Sequence, residues 1–131
     1  MSRRGHERAE GPSQRQLRVG ETIRRVLSGI LLRGDHHVSD LEGVPVTVGE
    51  VRISPDLRQA TIYVMPLGGR DAAGVLAALN RARAEFRHLV SREVTLKFAP
   101  DLHFALDETF DRMDETRRML SDPAVRRDLE S

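Results

Sequence analysis

The stretch Val51 to Val64 reads V-R-I-S-P-D-L-R-Q-A-T-I-Y-V, with two β-branched runs on either side of Ser54-Pro55-Asp56. Pro sets φ for a first bend and Asp can bond its own backbone two residues on, so the segment is predicted to fold back as a hairpin. On the returning arm Ala60, Ile62 and Val64 alternate with Thr61, Tyr63 and Met65, which puts the two sets on opposite faces of a strand ended by Pro66-Leu67-Gly68-Gly69. On the outgoing arm Val44, Val46 and Val48 alternate, and Val51 and Ile53 continue in the opposite phase. A bulge at Gly49 accounts for the change.

Before the hairpin, Ile23, Val26, Leu27, Ile30 and Leu31 recur at i, i+3, i+4, i+7 and i+8, the stripe of an amphipathic helix over 14–33 that Gly34-Asp35 stops. Arg18 and Arg25 lie nearly opposite that stripe and are predicted to face solvent. After the hairpin, Val75, Leu76, Leu79, Ala82, Phe86, Leu89 and Val90 trace a second amphipathic helix over about 71–91. Val94, Leu96 and Phe98, then Leu102, Phe104 and Leu106, alternate with their neighbours and read as a third, longer strand, with Phe86, Phe98 and Phe104 at core positions. Residues Thr109 to Leu120 read as a short acidic helix ended by Pro123.

The order is helix, strand, strand, helix, strand. Three strands cannot cover themselves and two helices can lie on one face, so the fold class is α+β with two layers. A chain of 131 residues makes one domain with a single core. The predicted organisation is a basic, disordered arm over 1–13, a folded domain over 14–120 and a flexible tail over 121–131.

The net charge of +1 hides an asymmetry. Residues 1–34 hold eight Arg against three acids, and residues 101–131 hold nine acids against five Arg. Such a split suggests that one end seeks a polyanion. The basic residues are twenty Arg and the single Lys97; guanidinium forks suit phosphate and base recognition, and a GC-rich coding genome produces the same bias. No cysteine is present, which excludes disulfides and thiolate metal sites. No apolar run reaches the length of a membrane span and Met1 to Arg8 lack the apolar core of a signal peptide, so the expected address is cytoplasmic, without membrane contact.

Catalytic signals are weak. His36-His37 followed by Asp40 resembles a metal or acid–base cluster, yet adjacent side chains point apart and further ligands are missing, so a solvated loop is the simpler reading. His88 and His103 stand alone, and no Gly-rich phosphate loop, nucleophile elbow or zincin motif occurs. The chain reads as a non-enzyme with no catalytic residue, no metal and no cofactor. A metal-dependent hydrolase using His36, His37 and Asp40 remains the remote alternative.

The element order is that of the type II KH domain, which binds RNA with a Gly-x-x-Gly loop in most members; the chain contains no Gly-x-x-Gly. Three parts together carry a closer resemblance: the Arg-bearing first helix, the hairpin Ile53-Ser54-Pro55-Asp56-Leu57 followed by Ala60 and Ile62-Tyr63-Val64, and the run Pro100-Asp101-Leu102-His103-Phe104. Asp107-Glu108-Thr109 and Arg112 extend it. Over about residues 14–120 the chain resembles ribosome-binding factor A, a KH-like bacterial family that lacks that loop. In that family an Ala-x-Gly step kinks the second helix. Ala82-Arg83-Ala84 stands at the matching place, and Ala favours an unbroken helix over Gly by roughly 1 kcal/mol, so a kink here has to be imposed by packing.

The resemblance implies a protein that binds free, immature small ribosomal subunits and the 5′ region of their rRNA, assists late maturation, leaves before translation and supports growth in the cold. It implies no small-molecule substrate and a monomer off the ribosome. The alternative is a KH-like module that binds another RNA or a protein, unassociated with ribosomes. On either reading the candidate RNA-binding residues are Arg15, Arg18 and Arg25 on the first helix, Arg81, Arg83 and Arg87 on the second, and Lys97. With four Phe, one Tyr and no Trp, few rings remain to stack on bases; Tyr63 is the one exception considered. Recognition is therefore predicted to rest on RNA shape and backbone charge.

Overall fold

The computed structural model describes residues 11–67, 71–95 and 97–108. Most of the arm predicted over 1–13, the acidic helix over 109–120 and the tail over 121–131 lie outside the described residues. Within them the elements run α1 (Gln14–Arg33), a 3-10 turn (Ser39–Leu41), β1 (Val46–Ile53), β2 (Gln59–Pro66), α2 (Ala72–Arg81), α3 (Arg83–Glu93) and β3 (Asp101–Leu106). The sheet order is β1-β2-β3, with β1 antiparallel and β3 parallel to β2.

Helix α1 is closed at both ends by its own sequence. The Ser13 hydroxyl accepts from the Gln16 backbone N–H at 3.1 Å and the Gln16 side chain accepts from the Ser13 N–H at 2.8 Å, a reciprocal capping box. Gly34 takes a left-handed φ of 76° and ends the helix with its N–H on the Ile30 carbonyl at 2.9 Å. The apolar stripe Val19, Ile23, Leu27, Ile30 and Leu31 is buried. Gly20 is also buried, and a Cβ there would stand 2.9 Å from the Val51 carbonyl oxygen, so the missing side chain lets α1 lie close on β1.

The hairpin forms as its residues direct. The Leu57 N–H donates to the Ser54 carbonyl at 2.9 Å, and the Asp56 carboxylate accepts from the Ser54 hydroxyl at 2.6 Å and the Arg58 N–H at 3.0 Å. Leu57 carries a positive φ of 63° to complete the turn. The ladder slips between Val48 and Glu50, which places the bulge at Gly49. Beyond it Val51 pairs with Ile62 and Ile53 with Ala60, so the change of phase keeps both on the helix-covered face.

The Ser54 hydroxyl, followed by the Arg58 N–H, holds the Asp56 carboxyl below its ordinary 3.8. A carboxyl depressed in the folded state contributes stability that is fully present above 3.8 and is lost as pH falls below it. Asp56→Ala is therefore expected to be less stable than the parent in urea unfolding at pH 7, and the gap is expected to narrow at pH 3. A gap that widens with acid would contradict this.

The helix over 71–91 bends where the resemblance places a kink, at the Ala82-Arg83-Ala84 step: it is two helices, broken at Ala82, where φ is −98° and ψ 13°. One element departs from the sequence expectation. The predicted long third strand from Val94 begins only at Asp101. Pro100 has no N–H to give a ladder, and the Ala99 carbonyl is taken by the Arg87 guanidinium, so pairing cannot extend back to Phe98. Phe98, expected in the core, is 76% exposed.

The break at Ala82 is imposed from both sides. Asn80, at the end of α2, donates its amide to the Phe104 carbonyl at 3.0 Å and accepts the Phe104 N–H at 2.9 Å, acting as a short surrogate strand on the outer edge of β3. Four residues past the break, Phe86 of α3 is fully buried, with its ring edge-to-face on Phe104 at 5.7 Å. Two anchors on one residue of β3 set the angle between the helices in spite of Ala84. Asn80→Ala would leave both Phe104 backbone groups without their partners, each worth about 1–3 kcal/mol, against a gain of only a few tenths in helix propensity. A net loss of about 2 kcal/mol in denaturant unfolding is expected.

Candidate nucleic-acid interface

The predicted cations fall into two groups carried by different elements. Arg15, Arg18 and Arg25 all lie exposed on α1. Arg18 and Arg25 are seven residues apart, so they stand on one face about 10 Å apart along the axis, with Arg15 one turn before Arg18. Among the described residues no carboxylate pairs with Arg15, Arg18 or Arg25 at ion-pair distance. The neighbouring Arg24 differs, for it pairs with Glu21 one turn earlier. Hydrogen bonding to Arg24 holds the Glu21 carboxyl below its usual range, and Arg25 adds to that pull from a greater distance. The α1 face thus presents positive charge that, among the described residues, no carboxylate in direct contact neutralises.

The second group surrounds the helix break. Arg81, at the end of α2, pairs with Asp40 at 3.1 Å, both side chains being largely exposed. Such a surface pair is worth about 0–1 kcal/mol and yields readily to a phosphate. Arg83 opens α3 and is exposed, without an ion-pair partner among the described residues. Arg87, one turn on, donates from Nε and Nη2 to the Ala99 carbonyl at 3.1 and 2.9 Å and lies 3.5 Å from the Asp101 carboxylate. Its structural bonds use two of five N–H donors, which leaves the outer edge of the fork available. Lys97 is exposed, with its ammonium 5.8 Å from the centre of the Phe98 ring.

The sequence alone presents Arg87 as a free charge and gives no role to Asn80 or an exposed Phe98. A single Asn inside an Ala- and Leu-rich helix, where it is intrinsically disfavoured, was the available signal for the first. For Phe98 the only signal was Pro100 two residues later. Tyr63 is half-buried with the Arg52 guanidinium 5.2 Å over its ring. Glu50 raises the Arg52 pKa further through a hydrogen bond.

His36, His37 and Asp40 do not converge. The His36 ring packs edge-on against Phe86 at 5.5 Å while its Nδ1 accepts from the Val38 N–H at 3.2 Å. The His37 backbone N–H donates to the Glu85 carboxylate at 3.0 Å, and Asp40 is engaged with Arg81. Among the described residues no group of three or more His, Cys, Asp or Glu is placed to hold a metal ion, and no helix is long and apolar enough to cross a membrane.

Comparison with known proteins agrees with this architecture. The sequence model of the family "Ribosome-binding factor A" matches residues 15–120. The ribosome-binding factor A of Paracoccus denitrificans is 66% identical over 121 residues, covering 92% of this chain and 88% of that one. That of Dinoroseobacter shibae is 60% identical over 130 residues, covering 99% and 96%. Among solved structures, the crystal structure of ribosome-binding factor A from Thermus thermophilus superposes with a TM-score of 0.57 at 25% identity, covering 70% of this chain and 94% of that one. A Thermus thermophilus ribosome binding factor A model fitted into the cryo-EM map of a 30S–RbfA complex gives 0.55 at 24% identity, a likeness of fold, covering 68% and 91%. Identity at this level along nearly the whole sequence, on a KH-like frame without a Gly-x-x-Gly loop, leaves one assignment: the chain belongs to the ribosome-binding factor A family.

Proposed function

We propose that this protein is a non-catalytic assembly factor that binds the free, immature small ribosomal subunit through its rRNA, near the 5′ region, and assists late maturation before leaving the particle. The observation that carries the reading is the row Arg15, Arg18 and Arg25, exposed on one face of a 20-residue helix and lacking carboxylate partners at ion-pair distance among the described residues. Family membership supports it, since the relatives are named for ribosome binding. Arg81, Arg83, Arg87 and Lys97 form the second proposed contact group, and Ala82-Arg83-Ala84 the bend that positions it. The protein works as a cytoplasmic monomer in which 14–120 form the binding domain and the segments 1–13 and 121–131 add charge at its ends.

The mechanism is a shift of population. A bound protein favours one rRNA conformation over another only by the difference in its affinity for the two, so neither cofactor nor turnover enters. Phosphate contacts from Arg position the protein on folded RNA without reading its bases.

Titration of purified free small and large subunits with labelled protein over a range of salt tests the proposal. Preference for the small subunit is expected, with affinity falling steeply as salt rises, because each neutralised phosphate releases counterions. Equal binding to both subunits, or binding insensitive to salt, would contradict it.

A further inference from the structure

We infer that Phe98, flanked by Lys97, is a stacking platform for an unpaired base of the RNA partner; the inference rests on the RNA-binding reading proposed above. At 76%, Phe98 is more exposed than Leu17, Leu32 and Leu67, which range from 51% to 55%. Its ring is left in water although the chain on its C-terminal side is held. The Ala99 carbonyl accepts two bonds from Arg87, Pro100 is buried, and the Asp101 N–H donates to the Arg58 carbonyl at 2.8 Å. The ring therefore projects from a tethered segment.

The surroundings of the ring select its occupant. The Lys97 ammonium lies over the ring, 5.8 Å from its centre, and Arg87 is bonded to the residue next in the chain, with exposed Arg83 one turn earlier on α3. Asp101, the acid that follows in the chain, faces Arg87. An exposed aromatic ring with a cation at it, next in the chain to a residue held by a guanidinium, matches a nucleotide, whose base stacks on the ring while its phosphate meets a cation. A groove for an apolar protein segment would join several exposed apolar side chains, whereas among the described residues the other large ones, Leu17, Leu32 and Leu67, lie on or beside other elements. Such a platform adds contact with an unpaired base to recognition that otherwise rests on backbone charge.

The chain contains no Trp, so Phe98→Trp introduces a single indole whose emission can be excited selectively. At an exposed site the substitution leaves the core untouched. Titration of this variant with purified free small subunits, with co-sedimentation read in parallel, is expected to quench the emission by half or more as the protein binds. In the same assay Phe98→Ala is expected to weaken binding about tenfold without changing the salt slope, and Lys97→Gln to lower that slope by about one. Co-sedimentation with emission unchanged, or shifted to the blue without quenching, would overturn the inference: the ring then stays in water or enters an apolar protein pocket. Failure of all variants and of the parent to co-sediment would overturn the RNA reading and this inference with it.

Discussion

Phe86→Ala is expected to cost this domain about 3–5 kcal/mol, the usual loss when a fully buried aromatic ring is emptied from a core. Phe86 has no exposed surface, and its ring meets Phe104 edge-to-face at 5.7 Å and His36 at 5.5 Å. Truncation removes both aromatic contacts and leaves a cavity where α3, β3 and the loop after α1 meet. Domains of this size are stable by about 5–15 kcal/mol, so the loss approaches the lower end of that range. With a urea dependence of about 2 kcal/mol per molar, the midpoint is expected to fall by about 2 M. A shift below about 0.5 M would show that the ring is not the central packing element described above. Since the same ring fixes α3 on the sheet, the variant is also expected to lose whatever binding Arg83 and Arg87 contribute.

The second large effect concerns binding and leaves the fold alone. Reversing Arg18 and Arg25 together to Glu alters two exposed side chains without ion-pair partners among the described residues, so stability is expected to change by less than about 0.5 kcal/mol. Affinity for free small subunits is expected to fall about a hundredfold, since each Arg–phosphate interaction removed weakens binding by about 1.4 kcal/mol, or one factor of ten. The slope of log affinity against log salt should become shallower by about 1.4–1.8, since two fewer phosphates are neutralised. Arg52→Glu makes half that charge change, on β1, where Arg52 pairs with Glu50 at 2.6 Å. It is expected to cost less than about threefold, because it acts only through the protein's overall field. A loss of about tenfold, half that of the double variant on a logarithmic scale, would show that net charge, and not the α1 face, governs binding.

Local signals made most of the fold legible, and long-range partners decided the rest. Helix α1 was readable end to end because its apolar stripe keeps a helical period and Gly34 supplies the left-handed stop. The hairpin and the bulge were readable because Pro55, Asp56 and Gly49 act on their immediate neighbours. The break at Ala82 was legible only through the family resemblance, since Ala82 and Ala84 both favour helix and the bend depends on Asn80 and Phe86 gripping Phe104, 24 and 18 residues away in sequence. The start of β3 was misread for a related reason. Val94 and Phe98 keep a strand period, but Arg87 claims the Ala99 carbonyl from twelve residues back.

Candidate site residues were legible as charges, and their partners were not. Arg18 and Arg25 could be placed on the solvent face by helical geometry alone. That Arg81 meets Asp40 across 41 residues, or that Arg87 doubles as a fastener of the loop before β3, depends on how the helices sit on the sheet. Phe98 was assigned inward by alternation, which presumes a strand that does not form there.

Sedimentation of cell extract through a density gradient, with detection of this protein across free small subunits, free large subunits and joined ribosomes, tests the central claim most directly. The parent is expected to migrate with free small subunits at modest salt, and the Arg18→Glu, Arg25→Glu variant to remain at the top of the gradient. A parent protein absent from every ribosomal fraction would contradict the proposed function and leave only the fold.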